Sequence, residues 1–356
     1  MKEGRGSRLK LAWAEGYKFA ALAGEILRFS YDLAYMTGRG FIPKETFDSF
    51  KEKTGLRNFF WRLYYNKTAF QSPREALLYA RGQVVFIHGW DGNGEIWEAL
   101  PLMVCQAEPR LISLVPDVNG FGRSQFSEFL PDIDKCSPKG CIAAVELWLR
   151  LMGLRRNRPT IFVGHSMGGA SLFYKPATGW KRGEYALCAL APALLHRDAI
   201  RKGFYQSLGI GIWAGAVMEL VDKMQELIAP LFIQELIQDA SKTVKKIHLR
   251  EFSRTPNGTL AQTFFALGAA PEVPRRTRWD AFRVILGHKD RLVGLEPMLE
   301  YLEELGFNSK LIKVTLGDHY FFSVGRKTPP NHRLNRAMVL ETILELYEWC
   351  RENFRR

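Results

Sequence analysis

The stretch Ile161–Ala170, IFVGHSMGGA, constrains this chain more than any other. An apolar run predicts a buried strand, and it stops abruptly at Gly164-His165-Ser166-Met167-Gly168. The small residues that follow predict the start of a helix. A glycine two places either side of the serine permits a very sharp strand-to-helix turn. Such a turn pushes the serine Oγ clear of the backbone and leaves room beside it. The plain alternative is a structural serine in a glycine-rich bend, and the rest of the chain argues against it.

A serine hydroxyl is a poor nucleophile until a base takes its proton, and the base needs an acid to orient it. Upstream, QVVFIHGWDGNG (83–94) is an apolar strand running into His88-Gly89-Trp90-Asp91-Gly92. Downstream, FRVILGHKD (282–290) is a second apolar strand, ending in a carboxylate, and KLIKVTLGDHY (310–320) is a third, ending in a histidine. The order is Ser166, Asp290, His319. Each residue sits just past the C-terminal end of a predicted strand, which is where open α/β sheets bind ligands.

These residues resemble the α/β-hydrolase superfamily, from roughly Ala80 to Arg356. The HGxxG turn, the GHSMGG elbow, the strand-end aspartate and the late histidine match in type and order. PDVNGFGRS (116–124) is similar to the family's D-x-x-G-x-G-x-S loop. The resemblance implies an α/β fold with a mostly parallel sheet, helices on both faces and a helical cap inserted after the sixth strand. It implies Ser166 as nucleophile, His319 as general base and Asp290 as orienting acid. His332 is the fallback base and Asp318 the weaker acid. The backbone N–H groups of Trp90 and Met167 would form the oxyanion hole. His88 and His165 would hold loops by hydrogen bonds, and Asp117, Gly120, Gly122 and Ser124 would shape a loop beside the site.

From Gln83 strands and helices alternate, with strands expected near 83–87, 111–115, 160–164, 185–190, 282–286 and 310–315. Residues 80–193 and 278–356 read as the catalytic domain, and 194–277 as a helical cap, kinked at Pro230. Most of the cap's apolar side chains (Phe204, Leu208, Ile210, Ile212, Trp213, Val217 and others as far as Leu236) would seal it onto the core. A minority would line a buried, largely apolar site for an acyl chain or a compact hydrophobic ester. Residues 1–79 read as a helical extension, with helices near Arg8–Met36 and Lys44–Asn66. The opening strands of the family would be shortened to something like Ala76–Ala80, or missing.

The net charge of +13 fits a basic, soluble surface or attraction to anionic membranes. Residues 1–81 hold 15 Lys+Arg against 8 Asp+Glu, about half the excess. No nucleic-acid motif is visible. Gly92-Asn93-Gly94 lacks the trailing Gly-Lys-Ser/Thr of a phosphate loop. Five cysteines show no metal-type spacing and suit a reducing compartment. No cofactor and no metal cluster is expected. The expected protein is soluble and cytoplasmic, with peripheral membrane contact and a homodimer left open. The expected reaction is cleavage of a carboxylic ester, as in carboxylesterases and lipases. Thioesterase, lactonase and carbon–carbon hydrolase chemistry use the same triad, and a non-catalytic binding protein could keep the scaffold.

Overall fold

The computed structural model describes residues 18–21, 25–154, 158–176, 180–217, 237–274 and 281–354. One nine-stranded sheet runs through them. In chain order its strands are β1 (Lys18–Ala21), β2 (Ile26–Asp32), β3 (Phe60–Asn66), β4 (Gly82–Ile87), β5 (Leu111–Pro116), β6 (Thr160–His165), β7 (Tyr185–Leu190), β8 (Phe282–Gly287) and β9 (Ile312–Thr315). Their spatial order is β1-β2-β3-β5-β4-β6-β7-β8-β9. The first three pairings are antiparallel, and those from β5 to β9 are parallel. Strands β4 to β7 are apolar runs with almost no exposed position. That is the pattern of strands covered on both faces.

The chain leaves β4 through α4 (Leu100–Ala107) to reach β5 on one side. It then returns past β4 through α5 (Pro138–Leu151) to β6 on the other. Right-handed crossovers that travel in opposite directions place their helices on opposite faces. The reversal also makes the C-terminal ends of β4 and β6 the switch point of the sheet, where a crevice opens. Later helices are α6 (Met167–Ser171), α10 (Leu295–Glu304) and α11 (Asn331–Phe354).

The amino-terminal segment is not the pair of helices expected from the sequence. Strands β1 and β2 pair antiparallel there, and the second expected helix ends early. Among the described residues of this segment, α1 (Leu33–Gly38), α2 (Lys44–Thr54) and α3 (Pro73–Tyr79) are helical, and β3 occupies 60–66. Residues 76–79, expected as a vestigial strand, lie in α3. The reason is burial. Tyr31 and Trp61 stack at 5.3 Å, and Trp61 meets Trp148 of α5 at 5.3 Å, so these strands join the main core. Residues 8–17 and 22–24 of the expected first helix lie outside the described residues.

The described parts of 194–277 are helical: α7 (Ala199–Val217), α8 (Lys242–Arg254) and α9 (Asn257–Gly268). They follow β7 rather than a sixth strand, because the amino-terminal segment contributes three strands. Phe204, Ile210 and Trp213 do not seal the cap onto the core; each is about half exposed. The Pro230 kink and the apolar residues from Met218 to Leu236 lie outside the described residues. No described helix is long and apolar enough to cross a membrane. All five cysteines are buried and unbridged.

Candidate active site

Ser166 joins β6 to α6 with φ +54° and ψ −119°, a conformation that costs a non-glycine residue of order 1–3 kcal/mol. Neighbouring glycines make the bend feasible. A Cβ on Gly164 would lie 2.2 Å from the Gly168 carbonyl oxygen, and one on Gly168 would lie 2.2 Å from the Ile87 carbonyl oxygen. The turn is held by Ser166 N–H donating to Leu190 O (2.9 Å) and by Ala193 N–H donating to Ser166 O (3.0 Å).

His319 and Asp290 meet from the ends of β9 and β8. His319 Nδ1 lies 2.7 Å from Asp290 Oδ2. Asp290 Oδ1 accepts from the N–H groups of Leu292 (2.9 Å) and Val293 (3.1 Å), so the carboxylate is fixed on both oxygens. A carboxylate can only accept, so the Nδ1 proton belongs on His319 and its Nε2 is the basic nitrogen. Asp318 points elsewhere. Its oxygens accept from Asp239 N–H and Tyr320 N–H, both at 2.8 Å. His332, the fallback base, is also elsewhere, with Nδ1 2.8 Å from Ser323 O. Its buried Nε2 has no hydrogen-bond partner among the described residues, and Asp239, Asp318 and His332 bring three potential metal-ligand atoms within 4.8 Å of one another. Spacing along the sequence gave no sign of that grouping.

Ser166 and His319 line one cavity together with Trp90, Asp91, Tyr205, Ile237, His248, Phe264 and Tyr320. It measures about 60 Å³, small for a ligand pocket. The Trp90 ring lines it, donates from Nε1 to Thr263 Oγ1 of α9 (2.9 Å) and packs against Phe264 at 3.8 Å. The backbone N–H groups of Trp90 and Met167 have no acceptor among the described residues.

The two motif histidines hold the site's loops. His88 Nε2 accepts from Val118 N–H (2.8 Å), which leaves Nδ1–H to donate to Gly89 O (2.8 Å). Burial lowers its pKa to about 4, so it stays neutral in these bonds. His165 Nε2 reaches the backbone carbonyl of His319 at 2.9 Å. Burial, then the neighbouring His319, pushes its pKa well below 6.5. Asp117 is a loop clamp. It takes Arg62 Nη1 (2.7 Å), Gly94 N–H (2.9 Å) and Arg123 N–H (3.0 Å). Burial alone would raise its carboxyl, but the Arg62 guanidinium, helped by Gly94 N–H, holds it below 3.8. Ser124 Oγ accepts from Phe60 N–H (2.8 Å), tying the same loop to β3.

Sequence reasoning gave no role to Asp91, and it did not single out His248 or Tyr320, although all three line the cavity. Asp91 stood inside the HGWDG motif, but nothing about its position marked it as buried. His248 lies on α8, whose sequence carries no motif.

The profile of the alpha/beta hydrolase family matches residues 84–324. The chain belongs to that family. No curated protein matches it. Among solved structures it is similar to an esterase from Exiguobacterium antarcticum, with a TM-score of 0.53 and 12% identity, covering 93% of this chain and 99% of that one. A bromoperoxidase from Bacillus anthracis matches with a TM-score of 0.51 and 17% identity, covering 82% and 96%. A laboratory-evolved variant of a potato epoxide hydrolase matches with a TM-score of 0.51 and 16% identity, covering 84% and 97%. At these identities the likeness carries the fold alone.

Proposed function

We propose that this protein is a serine hydrolase that cleaves carboxylic esters of short acyl groups. One observation carries the reading. A strained serine at the switch point faces the same cavity as a histidine whose Nδ1 is held by a buried carboxylate. His319 Nε2 takes the Ser166 proton as Oγ attacks the acyl carbon. The oxyanion is stabilised by the Trp90 and Met167 N–H groups, each such donor being worth ~10²–10³ in rate. The alcohol leaves with the proton from His319. A water then gives its proton to His319 as it attacks the acyl-enzyme, and the acid is released as His319 passes that proton to Ser166 Oγ. Asp290 keeps the ring oriented and stabilises the imidazolium. A hydroxyl nucleophile at position 166 separates this reading from chemistry that begins with a carboxylate attack.

The compact cavity supports a short acyl group more than the long chain a large cap suggests. The test is a panel of p-nitrophenyl esters from acetyl to palmitoyl, with a butyryl thioester alongside. Turnover of the acetyl to hexanoyl esters is expected, falling by octanoyl and abolished in Ser166→Ala by about 10⁶-fold. Ordinary activity in the alanine variant would refute the serine assignment. A peak at octanoyl or longer would refute the short-acyl assignment.

A further inference from the structure

Asp91 is fully buried, and neither carboxyl oxygen has a hydrogen-bond partner among the described residues. It lines the cavity that holds Ser166 and His319. An unpartnered buried polar group costs free energy, and a native structure retains one where something else satisfies it. The backbone at Asp91 is strained as well, with φ +52°. Such outliers persist where the surroundings hold them, and they cluster at ligand sites.

Two further polar groups line the cavity beside it. His248 Nδ1 lies 3.5 Å from Asp91 Oδ2, too long for a good hydrogen bond. His248 Nε2 lies 2.6 Å from the Tyr320 hydroxyl. With Tyr320 donating to Nε2, the Nδ1 proton points toward Asp91. Burial favours the neutral form of both partners: it raises the Asp91 carboxyl well above 3.8, with Glu251 adding to the effect, and lowers His248 to about 3. The rest of the wall includes Ile237, Phe264, Leu267 and Leu292, so this polar patch stands in apolar surroundings.

We propose that Asp91, backed by His248 and Tyr320, recognises a hydroxyl on the acyl group of a short ester. A hydroxyl both donates and accepts, so it satisfies Asp91 in either protonation state. That hydroxyl is placed on the acyl side. Asp91 directly follows Trp90, the assigned oxyanion donor, and consecutive Cα atoms are about 3.8 Å apart. Its carboxyl therefore serves atoms close to the carbonyl, and the cavity admits only a few of them. The inference rests on the serine-ester reading for which side of the substrate is enclosed.

The test uses binding rather than turnover. Ser166→Ala protein is titrated calorimetrically with ethyl 3-hydroxybutyrate, ethyl butyrate and 2-hydroxyethyl butyrate. The 3-hydroxybutyrate ester is expected to bind at least about tenfold tighter than either of the others, the scale of one buried hydrogen bond. Adding Asp91→Ala is expected to erase the difference. Adding Asp91→Asn, which tolerates the left-handed backbone and keeps a donor and an acceptor, is expected to retain part of it. Equal binding of the three esters to the Ser166→Ala protein, or tighter binding of the 2-hydroxyethyl ester, would overturn the proposal without further variants. So would a preference that survives Asp91→Ala. Failure of the serine reading shows separately, as wild-type protein that does not react with a fluorophosphonate.

Discussion

At the scale of single residues, the site depends on main-chain contacts that leave no space for side chains. Gly164 and Gly168 bracket Ser166, and a Cβ on either would drive into a carbonyl oxygen. The clash is backbone on backbone, so no rotamer relieves it. Gly168→Ala is expected to destabilise the fold by about 3 kcal/mol or more, as core strain does. Urea unfolding checks this, and a loss under about 1 kcal/mol would mean that the bend is looser than described. His165 acts on the main chain too. A carbonyl can only accept, so the His165 Nε2 proton holds the strand end that carries His319.

At the scale of elements, the parallel core was legible and the amino-terminal strands were not. Strands β4 to β8 announce themselves as short, largely apolar runs. In β2 the helix reading followed Arg28 and Asp32, four residues apart. The same segment alternates: Leu27, Phe29 and Tyr31 are apolar, and Arg28, Ser30 and Asp32 are polar. Both periods fit so short a stretch, and pairing with β3 decides it. The proposed trio was legible because each member lies just past the end of a strand. Asp91 and His248 were not, because their roles arise only when a cap helix lies over the β4 loop. The β3–loop junction makes its own prediction. Arg62 and Asp117 form a buried pair whose carboxylate also receives two backbone N–H groups. Asp117→Ala leaves that guanidinium buried without its carboxylate and is expected to cost about 3–5 kcal/mol in chemical denaturation. A cost below about 1 kcal/mol would show the clamp to be dispensable.

At the scale of the whole molecule, three neutral histidines are built into one end of the sheet. His88, His165 and His248 are buried, and burial lowers their pKa values: to about 4 for His88, to about 3 for His248 and well below 6.5 for His165. Between 6.5 and those values the unfolded chain binds more protons than the folded one, so stability falls as pH drops. Asp91, whose carboxyl is raised, offsets part of this. The thermal midpoint is expected to fall by roughly 4 °C from pH 7 to pH 5; a flat or rising midpoint would contradict the neutral assignments. The same end of the sheet holds Ser166, whose proposed role is that of a hydroxyl activated by His319. The most direct measurement is peptide mass spectrometry after brief exposure to a fluorophosphonate. One adduct is expected on the peptide containing Ser166, absent in Ser166→Ala and slowed at least about 10²-fold in His319→Asn. An unmodified wild-type Ser166, or labelling that His319→Asn leaves at full rate, would contradict that role.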